Sequence, residues 1–115
     1  MDISNMDIFA TLKPAAFHIL LALAERDLHG YAVMQAVRQQ SGGSIPLQTG
    51  SFYRHLSTLI DEGLVIEAPA PKGDDDPRRG AYYRVTARGR QALAAEQARL
   101  TGLVARMKKL NLGAK

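Results

Sequence analysis

The chain has 115 residues, which suffice for one domain with a modest core, and its 46% hydrophobic and 23% charged fractions are ordinary for a globular protein. Cysteine is absent, which excludes a disulfide framework, a thiolate zinc site and a cysteine nucleophile. We expect a soluble, cytoplasmic protein, because residues 1–3 include no basic signal region. The longest apolar run, residues 15–24, is also shorter than the roughly 20 residues that span a bilayer.

The net charge of +4 is distributed unevenly. Residues 1–86 contain 8 Lys and Arg against 10 Asp and Glu, a net charge of −2. Residues 87–115 contain 7 against 1, a net charge of +6. The positive excess therefore lies in the C-terminal segment, and basicity alone is weak evidence for a nucleic-acid partner.

The first part of the chain predicts an arm and two helices. Residues 1–13 form an N-terminal arm with apolar residues at helical spacing, and Pro14 suits the first turn of the helix that follows. Residues 14–26 are apolar almost all round, which predicts a buried central helix. His29-Gly30 is expected to form a turn, and residues 31–40 an amphipathic helix. The side chains of this helix that are expected to face inward are Tyr31, Met34 and Val37.

Residues 48–62 are predicted to form a third helix, and its two faces differ. The apolar stripe consists of Phe52, Leu56, Leu59 and Ile60. The opposite face consists of Ser51, Arg54, Ser57, Thr58 and one acid, Asp61. A small, donor-rich face suits contact with phosphates and base edges, and an ordinary surface helix is the alternative. Thr49 is the expected N-cap, and Gly63 is expected to end the helix.

After Gly63 the hydrophobic period changes to two. Residues 64–68 and 81–85 alternate between apolar and other side chains, which predicts the two strands of a hairpin. Their connector, residues 69–80, is rich in Pro, Gly and charge and too long for a tight turn. The predicted fold is mainly α with a small β-hairpin: a winged helix-turn-helix domain over residues 14–86.

A long final helix is predicted from Ala87 to about Leu110, capped by Thr86, within a segment of residues 87–115. Apolar residues recur in it at heptad-like spacing: Leu93, Leu100, Leu103, Val104, Met107 and Leu110. This pattern predicts dimerisation with the same helix of a second copy, although Glu96 and Gln97 interrupt it. The alternative is that the helix packs back onto its own domain.

Several short motifs follow one another along the chain: Asp27-Leu28-His29-Gly30-Tyr31, Thr49-Gly50-Ser51-Phe52-Tyr53, Leu56 with Leu59, Glu62-Gly63-Leu64-Val65, and Tyr82-Tyr83-Arg84-Val85-Thr86 leading to Gly89-Arg90. Their order and spacing resemble the PadR family of bacterial transcriptional regulators. The resemblance covers roughly residues 14–90, and the single long C-terminal helix resembles the short-chain branch of the family. It implies a dimeric winged-helix repressor that binds a pseudo-palindromic operator in double-stranded DNA.

This resemblance also implies roles for individual residues. The recognition-helix positions that would contact DNA in the major groove are Gln48, Thr49, Ser51, Tyr53 and Arg54. Arg54 is the best candidate for a base-edge or phosphate contact, because its planar fork binds bidentately. Tyr53 is expected to hold a phosphate through its hydroxyl while its ring packs on the domain. Pure core packing of that ring is the alternative.

In the wing, Lys72, Arg78 and Arg79 are the expected phosphate contacts. The segment Asp74-Asp75-Asp76 lies between them and would repel DNA, unless these acids point away or pair with the arginines. A solvated loop without DNA contact is the alternative. Tyr82 and Tyr83 are expected to pack the strands rather than to stack on bases.

Enzyme chemistry is not indicated. The three histidines, His18, His29 and His55, lie on separate predicted elements without zinc-ligand spacing. Asp74-Asp75-Asp76 lacks the ligand spacing of a calcium loop, and residues 42–44 lack the lysine of a phosphate-binding loop. We expect no cofactor and no metal.

Two other functions remain open at this stage. One is a winged-helix module for protein–protein assembly, with the basic C-terminal segment meeting an acidic partner. The other is a ligand-sensing dimer with weak DNA binding, which would take a small-molecule effector of unknown identity at the dimer interface.

Overall fold

The computed structural model describes residues 11–74, 76 and 80–113. Its elements, in chain order, are α1 (Pro14–Glu25), β1 (Leu28–His29), α2 (Gly30–Gln40), α3 (Thr49–Asp61), β2 (Val65–Ala68), β3 (Tyr82–Val85) and α4 (Ala87–Lys109). The fold is mainly helical with a small antiparallel sheet, as predicted. The predicted N-terminal arm lies almost entirely outside the described residues. No helix of the described ranges combines the length and the hydropathy needed to cross a membrane.

The central position predicted for the first helix is confirmed. Pro14 occupies its first turn, where a missing N–H costs no helical hydrogen bond. Ile19, Leu20 and Leu23 are almost completely buried. The helix packs against α2, α3, α4 and β3. All the other layers of the domain are therefore arranged around α1.

The sheet has three strands in the order β1-β3-β2, one more than the predicted hairpin. The hairpin itself is confirmed, with Val65 opposite Val85 and Ala68 opposite Tyr82. The additional strand is β1, which pairs with β3 where a turn at His29-Gly30 was expected, so that prediction was wrong. A strand of two residues has no detectable period, and its pairing with β3 depends on contacts distant in sequence.

The inward face of α2 differs from the predicted one at Tyr31. Val37 is fully buried as predicted, but Tyr31 is 64% exposed, and Val33, which was not predicted to face inward, is fully buried. Met34 packs against the edge of the core. The helix starts one residue earlier than predicted, at Gly30, and Gly30 itself is buried against α3. Tyr31 lies about 100° further around the helix axis than Gly30 and on the exposed side of α2.

Both ends of α3 are closed by local hydrogen bonds. Gln48 is its N-cap residue, so the expected cap at Thr49 was wrong by one position. At the other end Gly63 has a φ of +77°, which favours glycine, and donates its N–H to Ile60 O (3.0 Å). Leu64 donates to Leu59 O (2.9 Å), which completes a Schellman motif. The prediction that Gly63 ends this helix is therefore confirmed.

The start of α4 is fixed to the end of α3 by Thr86 and Gly89. The Thr86 hydroxyl accepts the Gly89 N–H (3.0 Å), as predicted for the cap, and donates to Gly63 O (2.6 Å). A Cβ on Gly89 would lie 2.3 Å from Leu64 O, so only glycine permits this approach. The Arg88 Nε donates to Glu62 O (3.3 Å). The orientation of α4 is thereby coupled to the helix that precedes the hairpin.

Candidate nucleic-acid interface

Helix α3 presents a continuous exposed face opposite its buried stripe. Phe52, Leu56 and Leu59 belong to the core, and Ile60, predicted to join them, lies at the exposed margin. Arg54 is exposed, and within ranges 11–74, 76 and 80–113 its side chain has no hydrogen-bond or ion-pair partner. The neighbouring exposed positions are Gln48, Thr49, Gly50, Ser57, Thr58 and Asp61. This face therefore offers a guanidinium fork between small polar side chains.

The first turn of α3 carries no acidic residue, so the positive end of the helix dipole is not neutralised there. Ser51 is half-buried, accepts the Gln48 N–H (3.3 Å) and donates to Gln48 O (3.0 Å). Its hydroxyl is thus engaged in holding the turn. Gly50 is exposed, and a Cβ at this position would meet nothing within 4 Å. The backbone of this turn is accessible to a bulky anion such as a phosphate.

Tyr53 lies between α3 and the start of α2. Its ring stands edge-on to Phe52, with 4.8 Å between the ring centroids, and remains 46% exposed. Its hydroxyl lies over Gly30, 2.6 Å from the point where a Cβ would be. The ring thus packs on the domain while about half of the side chain stays exposed, an arrangement compatible with the role expected for Tyr53.

Tyr83 lies beneath this surface on the central strand of the sheet. Burial raises the pKa of the Tyr83 phenol, and the neighbouring Tyr53 and Glu67 raise it further. The side chain is buried, as is Tyr82 on the opposite face of β3. Both tyrosines therefore pack the strands as expected, and neither presents a ring for base stacking.

The wing loop turns at Pro71–Asp74. Asp74 donates its N–H to Pro71 O (3.0 Å), and Gly73 has a φ of +91°, as the third residue of a type II turn requires. Lys72 is exposed at the second position of this turn. The Asp74 carboxylate accepts a hydrogen bond from the Tyr82 hydroxyl, so this acid is turned back toward β3. Arg78 and Arg79, the other two expected wing contacts, lie outside the described residues, as does Asp75.

An ion pair that the sequence did not reveal fixes the edge of the sheet. The Arg84 Nε and Nη2 donate to both carboxylate oxygens of Asp27, with distances of 2.7–3.2 Å. Asp27 raises the pKa of the Arg84 guanidinium through this hydrogen bond and through its charge. The pair links the segment before β1 to β3. Both residues belong to the motifs named above, but their pairing across 57 positions leaves no local signal.

Helix α4 is divided into a packed half and a projecting half. Leu93 packs partly against the core, and Glu96, which is only 6% exposed, accepts the Leu12 N–H (3.4 Å) and pairs with Arg99. From residue 97 to residue 113 every position is exposed. The expected dimerisation residues in this half are 36–66% exposed: Leu100, Leu103, Val104, Met107 and Leu110. Packing onto its own domain thus accounts for the first turns of α4 but not for the rest.

A groove of about 680 Å³ runs along the junction of α1 and α4. Its apolar walls are formed by Phe17 and Leu21 on α1 and by Leu93, Leu100 and Val104 on α4. At the ends lie the cations Arg90 and Lys108. The groove is continuous with the exposed apolar face of α4. Together they form an apolar surface that the described chain leaves uncovered.

A helix-turn-helix of α2 and α3, followed by a β-hairpin with a projecting loop, defines a winged helix-turn-helix protein. A family model described as "Transcriptional regulator PadR-like family" matches residues 19–95. The chain belongs to this PadR-like family of transcriptional regulators, as its motifs indicated. None of the curated proteins compared with the chain matches it.

Solved structures of family members have the same fold. A PadR family transcription regulator from Clostridium difficile R20291 superimposes with a TM-score of 0.70 at 19% identity, covering 85% of this chain and 98% of the other. A PadR-like transcription factor from Bacteroides fragilis gives 0.67 at 18% identity, covering 93% and 95%. Bacillus subtilis PadR, solved in complex with operator DNA, gives 0.56 at 24% identity, covering 70% and 44%.

Proposed function

We propose that this chain is a homodimeric, cytoplasmic transcriptional repressor that binds a pseudo-palindromic DNA operator through α3. The observation that supports this best is the division of α3 into a fully buried stripe and an exposed face around Arg54. A face held rigidly by Phe52, Leu56 and Leu59 presents its donors at fixed positions, which base recognition requires. Bacillus subtilis PadR, a structural neighbour, was solved with operator DNA.

Each predicted contact has a physical role in this proposal. Arg54 binds a guanine edge or a phosphate bidentately, and Gln48 and Thr49 bind at the groove edge. Ser51 lies beside them and holds the turn through its hydrogen bonds with Gln48. Phosphate binds to the backbone amides of the first turn of α3, where Gly50 leaves room. Tyr53 donates its hydroxyl to a phosphate, which fixes register rather than sequence.

The wing supplies the second set of phosphate contacts. Lys72 is exposed at the turn, and the hydrogen bond from Tyr82 to Asp74 turns one acid of the loop away from the tip. Arg78 and Arg79 complete this set in the proposal. In this proposal the acids of the segment do not face the phosphates, and the hydrogen bond that holds Asp74 at β3 supports this for one of the three.

Dimerisation through residues 87–115 places two α3 helices at a fixed separation. The exposed apolar residues of the projecting half of α4 and the groove beside α1 would be covered by α4 of the second copy. Hydrogen bonds from Thr86 and Arg88 to the end of α3 transmit the orientation of α4 to the recognition helix. A two-fold axis then presents the two α3 helices roughly 34 Å apart, one helical turn of DNA.

Ligand sensing is a second candidate function, favoured by the size of the groove. A volume of about 680 Å³ falls within the range of roughly 300–1,000 Å³ that is usual for small-molecule sites. A planar, apolar effector that entered the groove would compete with the partner helix and weaken operator binding. A thermal-shift screen with planar aromatic compounds tests this, because a ligand that binds the folded state raises the Tm.

Selection from a pool of random-sequence duplexes, followed by titration of the selected duplex at several NaCl concentrations, tests the proposed function. We expect enrichment of an inverted repeat and a log–log slope of affinity against salt of about −0.9 per phosphate contact. A protein–protein assembly module would enrich no sequence and would give a slope near zero, which would contradict the proposal.

Replacement of Leu100 by Asp tests the dimer, with Ala98→Asp as the matched control. Leu100 lies on the apolar seam and Ala98 on the opposite side of α4, and both are exposed. Loss of a leucine buried at an interface costs about 1.5–3 kcal/mol per side chain. We expect L100D to be monomeric and A98D to be dimeric in sedimentation equilibrium. Equal masses for the two variants would contradict dimerisation through this seam.

A further inference from the structure

We infer that a polar stripe on α2, formed by Tyr31, Gln35 and Arg38, binds the DNA phosphate backbone beside the groove that α3 enters. None of the three was predicted to contact DNA, and Tyr31 was expected in the core. The inference rests on the proposed function, because it needs α3 in the groove. It adds a set of phosphate contacts on a second helix.

The three side chains are joined by two hydrogen bonds. Arg38 Nη1 donates to Gln35 Oε1 (3.1 Å), and Gln35 Nε2 donates to the Tyr31 hydroxyl oxygen (2.5 Å). The direction of these two hydrogen bonds is fixed, because a guanidinium only donates. The Gln35 oxygen must therefore face Arg38, and its amide nitrogen must face Tyr31. The Tyr31 hydroxyl accepts the hydrogen bond from this nitrogen.

This direction leaves donors for an external ligand. In the hydrogen bonds among these three side chains, the Tyr31 O–H proton is not used, and neither is the second N–H of the Gln35 amide. Arg38 uses one of its five N–H groups in the hydrogen bond to Gln35. Phosphate oxygens accept hydrogen bonds and carry negative charge, so a row of outward donors that ends in a guanidinium suits them.

The stripe lies on the side of α2 next to α3. At about 100° per residue, Tyr31, Gln35 and Arg38 lie roughly 80–140° from Gly30 around the helix axis. Gly30 faces Phe52 and Tyr53 of α3. Gln40, on the opposite flank, donates to His18 O of α1 (2.7 Å). Going around the axis of α2 in one direction, its surface therefore faces first α1, then the core, then α3, and then carries the stripe.

Charge also favours a phosphate backbone as the ligand. Helix α2 contains one arginine and no acidic residue. Asp27, the acid nearest to its start in sequence, accepts hydrogen bonds from Arg84. The Tyr53 hydroxyl on α3 lies over Gly30, the residue that precedes Tyr31, and both tyrosine side chains are exposed. Phosphates along one DNA strand would meet α3 first and the stripe next.

The test compares Arg38→Ala and Tyr31→Phe with the wild-type protein and with Arg106→Ala. Arg106 is an exposed arginine on α4, so R106A controls for the loss of one positive charge. Each full-length protein is titrated against a selected duplex and a mixed-sequence duplex over a range of NaCl concentrations. Circular dichroism melting confirms that these exposed substitutions leave the fold unchanged.

We expect R38A to reduce the magnitude of the log–log salt slope by about 0.9 per protomer, or about 1.8 per dimer, on both duplexes. Y31F should keep the slope and bind both duplexes about tenfold more weakly, because it lacks only a neutral donor. The preference for the selected sequence should not change in either variant, and R106A should resemble the wild type.

Wild-type slopes and affinities in both R38A and Y31F would overturn the inference while the proposed function stood. A slope in R106A reduced as much as in R38A would also overturn it, because the loss would then reflect total charge. Absence of duplex binding by the wild-type protein would overturn the proposed function and this inference together.

Discussion

The hydroxyl of Tyr53 lies 2.6 Å from the point that a Cβ on Gly30 would occupy. The contact joins α3 to the first turn of α2 and sets the position of a ring that is half exposed. Phe52 lies 3.4 Å from the same point, so the ring has little room to move inward. Any larger residue at position 30 must therefore displace Tyr53 outward.

Gly30→Ala should consequently weaken DNA binding about five- to tenfold, the equivalent of about 1–1.4 kcal/mol for one hydrogen bond to phosphate. The backbone at Gly30 is helical, so alanine itself is tolerated there. A double-mutant cycle with Tyr53→Ala measures the coupling. In the Y53A background, G30A should cause no further loss of affinity. Additive losses would show that the two residues act independently.

Arg54→Ala should reduce affinity for the selected duplex by about 1–3 kcal/mol and relax base preference at one position of each half-site. Arg54 occupies the outward face of α3, so its removal leaves the core intact. Arg26→Ala is the control, because Arg26 is also exposed and lies beyond the end of α1. Competition between selected and mixed-sequence duplexes measures the preference. If R26A and R54A lose the same preference, Arg54 does not read a base.

Gly89→Ala should destabilise the fold by several kcal/mol, whereas Gly102→Ala should stabilise the same helix by about 0.8–1 kcal/mol. A Cβ on Gly89 would lie 2.3 Å from Leu64 O and 2.6 Å from the Val85 Cγ2, and the first of these is backbone. At Gly102 a Cβ would meet nothing within 4 Å. Urea unfolding of both variants measures the difference. Equal stabilities would show that α4 does not dock through Gly89.

Tyr83→Phe should change the dependence of stability on alkaline pH. The pKa of Tyr83 is raised in the folded protein above its ordinary value of 10.0. The folded state therefore holds this proton more tightly than the unfolded state. The resulting stability is constant below pH 10 and is lost as the pH rises from there through the folded pKa. Urea unfolding from pH 8 to 11 should show a smaller alkaline loss in Y83F, and identical curves would contradict this.

Sequence periodicity predicted the elements whose patterns are local. The helices at 14–25, 49–61 and 87–109, the hairpin and the end of α3 at Gly63 all depend on neighbouring residues and agree with the structure. The cap at Thr86 has the same local origin. These features follow from the spacing of apolar residues and from the backbone freedom of glycine.

The remaining features depend on contacts between distant residues. Strand β1 exists because Leu28 and His29 pair with β3, more than 50 positions away. The outward position of Tyr31 accompanies the packing of Gly30 against Phe52 and Tyr53, which lie more than 20 positions away in sequence. Glu96, which interrupts the heptad-like pattern, is buried and accepts the Leu12 N–H from 84 positions away in sequence.

The half-site spacing of the operator tests the central proposal, a dimer that presents two α3 helices to successive major grooves. The measurement is the affinity for the selected inverted repeat with 5 or 10 base pairs inserted at its centre. Roughly 10–10.5 base pairs make one turn of DNA, so an insertion of 5 places the half-sites on opposite faces. We predict that the insertion of 5 base pairs reduces binding to the level of mixed-sequence DNA. Unchanged affinity after this insertion would contradict the paired arrangement of α3.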